Sequence, residues 1–232
     1  MTSSAGTWAA PAPAAANPWF SWSYLQENTD TILAAGREHF SLTVQTIAFG
    51  LLIALPLAVL ASRVRWLAGP IVGATGVLYT IPSLSLFALV APFTGLTTTT
   101  VLVGLVVYAL LILVRNILTG LREVPEAVRD AARGMGYGPL RMLVRVELPI
   151  ALPSIMTGVR VATVSTIALV TVGVIVGTGG FGSIIVGGLN ANFYRAQIMT
   201  GTLLCVLFAL VADLGLAGLT RLLVPWSRRR AA

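Results

Sequence analysis

The chain has no lysine; all fifteen of its basic residues are arginine. A Walker A loop needs its lysine on the phosphates, so this sequence carries no P-loop ATPase of its own. Cysteine and histidine are almost as scarce. Cys205 lies inside an apolar run and His39 sits at the edge of another, where it reads as an interfacial polar residue. One of each excludes an internal disulfide framework and a Cys/His zinc site, and no metal ligands are assigned. No nucleophile–base pair is apparent, so no catalytic residues are assigned and a membrane enzyme or regulatory protein is the distant alternative. Charge is short as well, at 10% of 232 residues. Soluble domains carry about a quarter. Mean hydropathy is +0.90, so most of the chain belongs in lipid.

The net charge of +7 does not point to nucleic acid, because the arginines lie between apolar runs and not on one exposed basic face. The Ala/Pro/Ser-rich start, residues 1–17, reads as disordered and lacks the pattern of a secretory signal. Residues 18–39 mix Trp19, Trp22 and Tyr24 with Glu27, Asp30, Arg37 and Glu38. They are expected to form an external amphipathic segment, either anchored in lipid or packed as the entry to a span. Five apolar stretches follow, at 40–61, 67–92, 98–117, 149–176 and 196–223. Each suffices to cross a ~30 Å hydrocarbon core. The expected fold is all-α and polytopic, with a permease domain at 40–225 and a basic tail at 226–232.

Arginine sets the expected orientation. Arg63 and Arg65 follow span one. Arg115, Arg122, Arg129, Arg133, Arg141 and Arg145 fall at or beyond the end of span three and before span four, and Arg221, Arg228, Arg229 and Arg230 fall at the end of the chain. With five spans these twelve fall on one side, leaving Arg37 and Arg195 opposite. The positive-inside rule then places the N-terminus outside and the C-terminus in the cytoplasm. Six spans would split the clusters.

The polar segment at 121–149 is too long for a tight turn. Residues 126–134 have helical spacing, with Ala127, Ala131 and Gly134 on one face. Pro125 suits the first turn, and Gly136 and Gly138-Pro139 break the helix before a second short one. Asp130-Ala131-Ala132 is followed by three residues and Gly136, then by nine more residues and Val146-Glu147-Leu148-Pro149. This spacing resembles the cytoplasmic signature loop of ABC importer permeases, with Asp for Glu and Val for Ile. The resemblance implies a type I ABC importer permease fold and a coupling helix seated in a separate ATPase subunit, which holds the ATP and magnesium. ATP-driven closure of that subunit would re-orient the spans. On this reading Glu126, Ala127, Asp130, Ala131, Ala132, Arg133, Gly136, Leu148 and Pro149 serve ATPase coupling. The two adjacent alanines permit close approach, Asp130 and Arg133 pair across the interface, and Gly136 supplies the turn. The further partners implied are a second permease subunit, identical or paralogous, an external binding protein and membrane lipid, with no nucleic acid.

Thr80-Ile81-Pro82-Ser83-Leu84, Arg115-Asn116 and the Gly177-Thr178-Gly179-Gly180-Phe181-Gly182 run resemble the osmoprotectant subgroup of these permeases, over roughly residues 21–225. That implies a quaternary ammonium solute of the glycine betaine, carnitine or choline type and a bacterial inner membrane. A permease for methionine or another small solute is the alternative, since methionine-type permeases share the five-span plan. Pro82 breaks span two and frees a carbonyl for which Ser83 or Ser85 is the expected partner. Tyr79 and Phe87 flank the break and serve either as cation-recognising aromatics of the pathway or as packing. The stretch Gly179, Gly180, Phe181 and Gly182 is either part of an external gate or a tight turn. Arg160 and Asp213 fall at similar depth in spans four and five and are expected to pair, with a substrate contact as the alternative.

Overall fold

The computed structural model describes residues 17–225. The expectations for the Ala/Pro-rich start and for the tail at 226–232 fall outside the described residues, Asn17 apart. A short helix α1, Trp22–Glu27, is N-capped by the Ser21 hydroxyl on the Tyr24 amide. Asn28 separates it from α2, Thr29–Arg63. At ~1.5 Å per residue α2 is about 52 Å long, well beyond the hydrocarbon thickness. The helix therefore has no boundary at residue 39, where the external segment was expected to end. Ala35, His39 and Leu42 are buried at helical spacing, and this stripe carries the helix past that point.

Helices α3, Arg65–Thr80, and α4, Ser83–Thr94, meet at a 98° bend. Pro82 lies at the bend, as its missing amide and fixed φ dictate. Helix α3 starts where α2 ends. Helix α4 ends at Gly95, beside the start of α5, Thr98–Arg122, where the Thr94 and Thr100 hydroxyls meet at 2.5 Å. The bent pair thus runs from one end of the bundle to the other and, counted as one span, makes five apolar spans by length and composition with α2, α5, α8 and α10.

Helix α5 is the central post, packed by α2, α3, α4 and α8. Small residues let the helices close on it. Gly104 lies under the Phe87 ring, and Gly120 under the Ala151 carbonyl. Beyond α5 come α6, Glu126–Gly134, and α7, Pro139–Met142. A π-helical turn, Leu143–Glu147, leads into α8, Leu148–Val170, which tightens to a 3-10 turn at Thr171–Val176. A short α9, Phe181–Asn190, precedes α10, Arg195–Leu223. Hydroxyls of Thr43, Thr163 and Thr200 bond the carbonyl four residues back, which satisfies them within an apolar bundle.

Candidate functional site

At the end of the bundle that carries most of the arginines, Pro125 is the N-cap of α6, one position outside the first turn. The helix ends in a Schellman cap: the Tyr137 amide bonds the Ala132 carbonyl and the Gly136 amide bonds the Arg133 carbonyl. Gly136 has φ +80. Only glycine takes that conformation freely, so the turn that closes α6 calls for a glycine at this position. Gly138 then caps α7, with Pro139 in its first turn.

Ala127, Ala131 and Gly134 are all exposed. Val128, Met135, Leu140 and Val144 stand exposed around them. Ala132, expected at the contact face beside Ala131, is buried against its own chain instead. Asp130 and Arg133 pair with each other along α6: Arg133 donates to Asp130 at 2.8 Å and to Glu126 at 2.9 Å. Hydrogen bonds from Arg129 and Arg133 hold the Glu126 carboxyl below the usual glutamate range, and Glu126 in turn raises Arg133. Leu148 packs on the main core and Pro149 is half-buried at the start of α8.

Glu147 lies between these parts, 2% exposed. Its carboxylate accepts from both terminal nitrogens of Arg63, at 3.1 and 2.5 Å, and from Nε of Arg129 at 3.1 Å. Arg129 also donates to the Leu121 carbonyl at 2.7 Å. Sequence reasoning used Arg63 and Arg129 only to set orientation and Glu147 only as part of the loop pattern, and did not connect the three. The available signal was an acidic residue beside the apolar Leu148-Pro149 step.

At the α3–α4 bend the Tyr108 hydroxyl donates to the Ile81 carbonyl. The Leu78 carbonyl, which Pro82 leaves without its α-helical partner, accepts from the Ile81 amide at 3.4 Å, so neither carbonyl at the break is satisfied by a Ser83 or Ser85 hydroxyl. Tyr79 is 42% exposed and stands edge-on to Tyr108, centroids 5.7 Å apart. Ser83 opens α4. Phe87 is 1% exposed and packs with Leu42, Val101 and Leu105, so in this conformation its ring meets protein on every side.

At the opposite end Gly177 (φ +104) and Gly180 (φ +51) turn the chain, and Thr178 through Gly182 are buried. Buried non-helical backbone needs protein partners for its polar groups. Glu38 is one such partner, accepting from the Thr178 hydroxyl and from the Gly180 amide at 3.1 Å. His39 is another. The Phe181 amide donates to its Nδ1 at 3.3 Å, which leaves Nε2 to donate to the Ile167 carbonyl at 3.0 Å. Its ring sits between Phe181 and Phe208. His39 is therefore a buried clasp and not an interfacial residue, because the helix that carries it continues into the bundle.

Between the two ends, Arg160 meets Asp213 through Nε–Oδ1 at 2.9 Å and Nη2–Oδ2 at 2.8 Å. Both side chains are about a third exposed. They line an open groove of about 350 Å³ with Thr157 and Ser165. Among the described residues no group of three His, Cys, Asp or Glu is placed to hold a metal ion.

Residues 47–229 match the family model for the binding-protein-dependent transport system inner membrane component. The chain is 36% identical over 207 residues to the glycine betaine/carnitine/choline transport system permease protein OpuCD of Bacillus subtilis, covering 89% of this chain and 90% of that one. It is 35% identical to the carnitine transport permease protein OpuCD of Listeria monocytogenes, over 89% and 93% of the two chains. It is 33% identical to the osmoprotectant import permease protein OsmW of Salmonella typhimurium, over 87% and 96%. A solved structure of the MetNI methionine ABC transporter, inward facing, superposes with a TM-score of 0.74 at 22% identity, over 88% of this chain and 99% of that one.

Proposed function

Because this chain belongs to the family of binding-protein-dependent transport system inner membrane components, we propose that it forms part of the passage for ATP-driven uptake of a quaternary ammonium compatible solute. Glycine betaine, carnitine and choline are the candidate solutes. The observation that carries the solute class is the identity of 33–36% to permeases named for those compounds and for osmoprotectants. As an ABC permease it is a multi-pass membrane component, not an enzyme. Membership of the family implies an ATPase partner and a substrate-binding protein.

Helix α6 is the docking element for the ATPase. Its Ala127, Ala131 and Gly134 face allows close approach, and the exposed Val128, Met135, Leu140 and Val144 supply apolar area for burial. ATP and magnesium act on that partner, and this chain responds to its closure. A second permease subunit, identical or paralogous, completes the passage. The arginine-rich end faces the cytoplasm of a bacterial cell, which places the N-terminus outside the inner membrane and the C-terminus within. The exposed Trp19, Phe20 and Trp22 then lie at the outer headgroup level, against lipid. Tyr79, beside the helix break, offers a ring face to a cation in transit.

The test is uptake into proteoliposomes holding the permease with its ATPase and binding protein, using labelled glycine betaine, carnitine, choline and methionine. Uptake of at least one quaternary amine is expected. Methionine uptake without any of them would overturn the solute assignment, and failure to bind an ATPase would overturn the permease reading.

A further inference from the structure

The carboxylate of Glu147 ties α6 to two helices, α2 and α8, that already share the main core at this end of the bundle. Arg63 is the last residue of α2. Arg129 lies on α6 and reaches both Glu147 and the carbonyl of Leu121 on α5. Glu147 itself closes the π turn that feeds α8. A carboxylate only 2% exposed is costly to bury unless its hydrogen-bond partners stay in place. Displacing α6 while leaving α2 behind would take one of its two arginines from that buried carboxylate. The π turn allows the joint to move. The Leu148 amide bonds the Leu143 carbonyl five residues back, and Pro149 has no N–H to close the next α-helical turn. Such widened turns are sites of helix adjustment.

We propose that Glu147 is a positioning residue for transport: it locks the end of α2 and the start of α8 to α6, so that displacement of α6 moves both spans together. This rests on the reading of α6 as the ATPase-docking element. Arg63 is the α2 leg of the joint and Arg129 the α6 leg. The remaining bonds of Arg129, to Glu126 at 3.2 Å and to Leu121, hold that arginine in place when the carboxylate is altered.

The experiment uses the assembled complex with its ATPase in lipid nanodiscs, in a Cys205→Ser background. Spin labels are placed through Arg141→Cys or Leu60→Cys, each paired with Leu89→Cys on α4. Distances are read with and without ATP plus vanadate. Both pairs should shift in the otherwise unmodified chain. In Glu147→Gln the Arg141 pair should still shift while the Leu60 pair does not. Arg63→Gln should give the same pattern and serves if Glu147→Gln fails to assemble. In proteoliposomes, ATP consumed per solute should rise about tenfold in either variant, within the usual range of coupling between sites. A Leu60 shift retained in the variants overturns the proposal. So does loss of both shifts in proportion to lost assembly, which would make the joint a structural support only. If the Arg141 pair of the unmodified chain does not move, the docking reading falls and the proposal falls with it. If both pairs move but no quaternary amine is taken up, only the solute assignment fails.

Discussion

Arg160 on α8 and Asp213 on α10 meet side by side through two parallel hydrogen bonds of 2.9 and 2.8 Å. Two parallel bonds fix the rotation of one helix against the other as well as the distance between them. Asp213→Asn leaves the guanidinium without its counter-charge in an apolar setting. It should lower the melting midpoint in detergent by more than the double change Arg160→Gln with Asp213→Asn. Equal losses from the single and double variants would show that the charges act independently.

Gly136 at φ +80 sets a second expectation. Gly136→Val places a branched side chain in a left-handed conformation, costing about 1–2 kcal/mol, and opens the cap of α6. ATPase co-purification should fall, while Gly136→Asn should retain most of it. Charge reversal at Asp130 should weaken docking or uncouple hydrolysis from uptake. Normal assembly and transport in both Gly136→Val and the Asp130 variant would remove the coupling role from this segment.

The Tyr108 hydroxyl satisfies the Ile81 carbonyl at the α3–α4 bend. Tyr108→Phe removes the donor and leaves the acceptor in an apolar environment, a loss of about 1–3 kcal/mol. Thermal unfolding should detect it, whereas Ser83→Ala and Ser85→Ala should leave the midpoint nearly unchanged.

Glu38 holds the 177–182 turn through the Thr178 hydroxyl and the Gly180 amide. Glu38→Ala should speed hydrogen exchange at Gly180 by about tenfold, the equivalent of about 1.4 kcal/mol. Exchange at α5 amides should not change. An unchanged Gly180 rate would mean that His39 and the glycine packing hold the turn unaided.

Glu126 gives a pH dependence. Its folded carboxyl titrates below the ordinary glutamate value because Arg129 and Arg133 bond the charged form. The support it lends α6 is therefore complete above the unfolded value and is lost as pH falls through the folded one. Hydrogen exchange across residues 126–134, corrected for intrinsic rates, should be flat near neutrality and rise only in acid. Glu126→Gln should remove the acid rise. Added salt should also reduce it, because the carboxyl is fully exposed.

The fold was legible because its strongest signals are local. Apolar run length gave the spans, Pro82 gave the break, and the spacing from Asp130 to Gly136 encodes a Schellman cap that a short window contains. The clasps were not legible. Arg63 and Glu147 lie 84 residues apart, and Glu38 and Gly180 lie 142 apart, so no periodicity links them. His39 was misplaced for a related reason: a polar pair at the head of an apolar run looks like a boundary, and only α8 and α9 reveal that it is interior. Phe87 shows the converse. Its position beside Pro82 left pathway and packing roles both open, and the ring turns inward onto Gly104, which the sequence near Phe87 does not disclose.

The Schellman cap of α6 has a consequence for association. The segment proposed to meet the ATPase is already folded, with its glycine turn closed and its charges paired along the helix. Little ordering entropy remains to be lost when the two surfaces meet. Encounter then behaves as the seating of a finished part, and the lifetime of the contact is governed by how fast it separates. A contact built this way can remain modest in area and still be re-formed in every cycle.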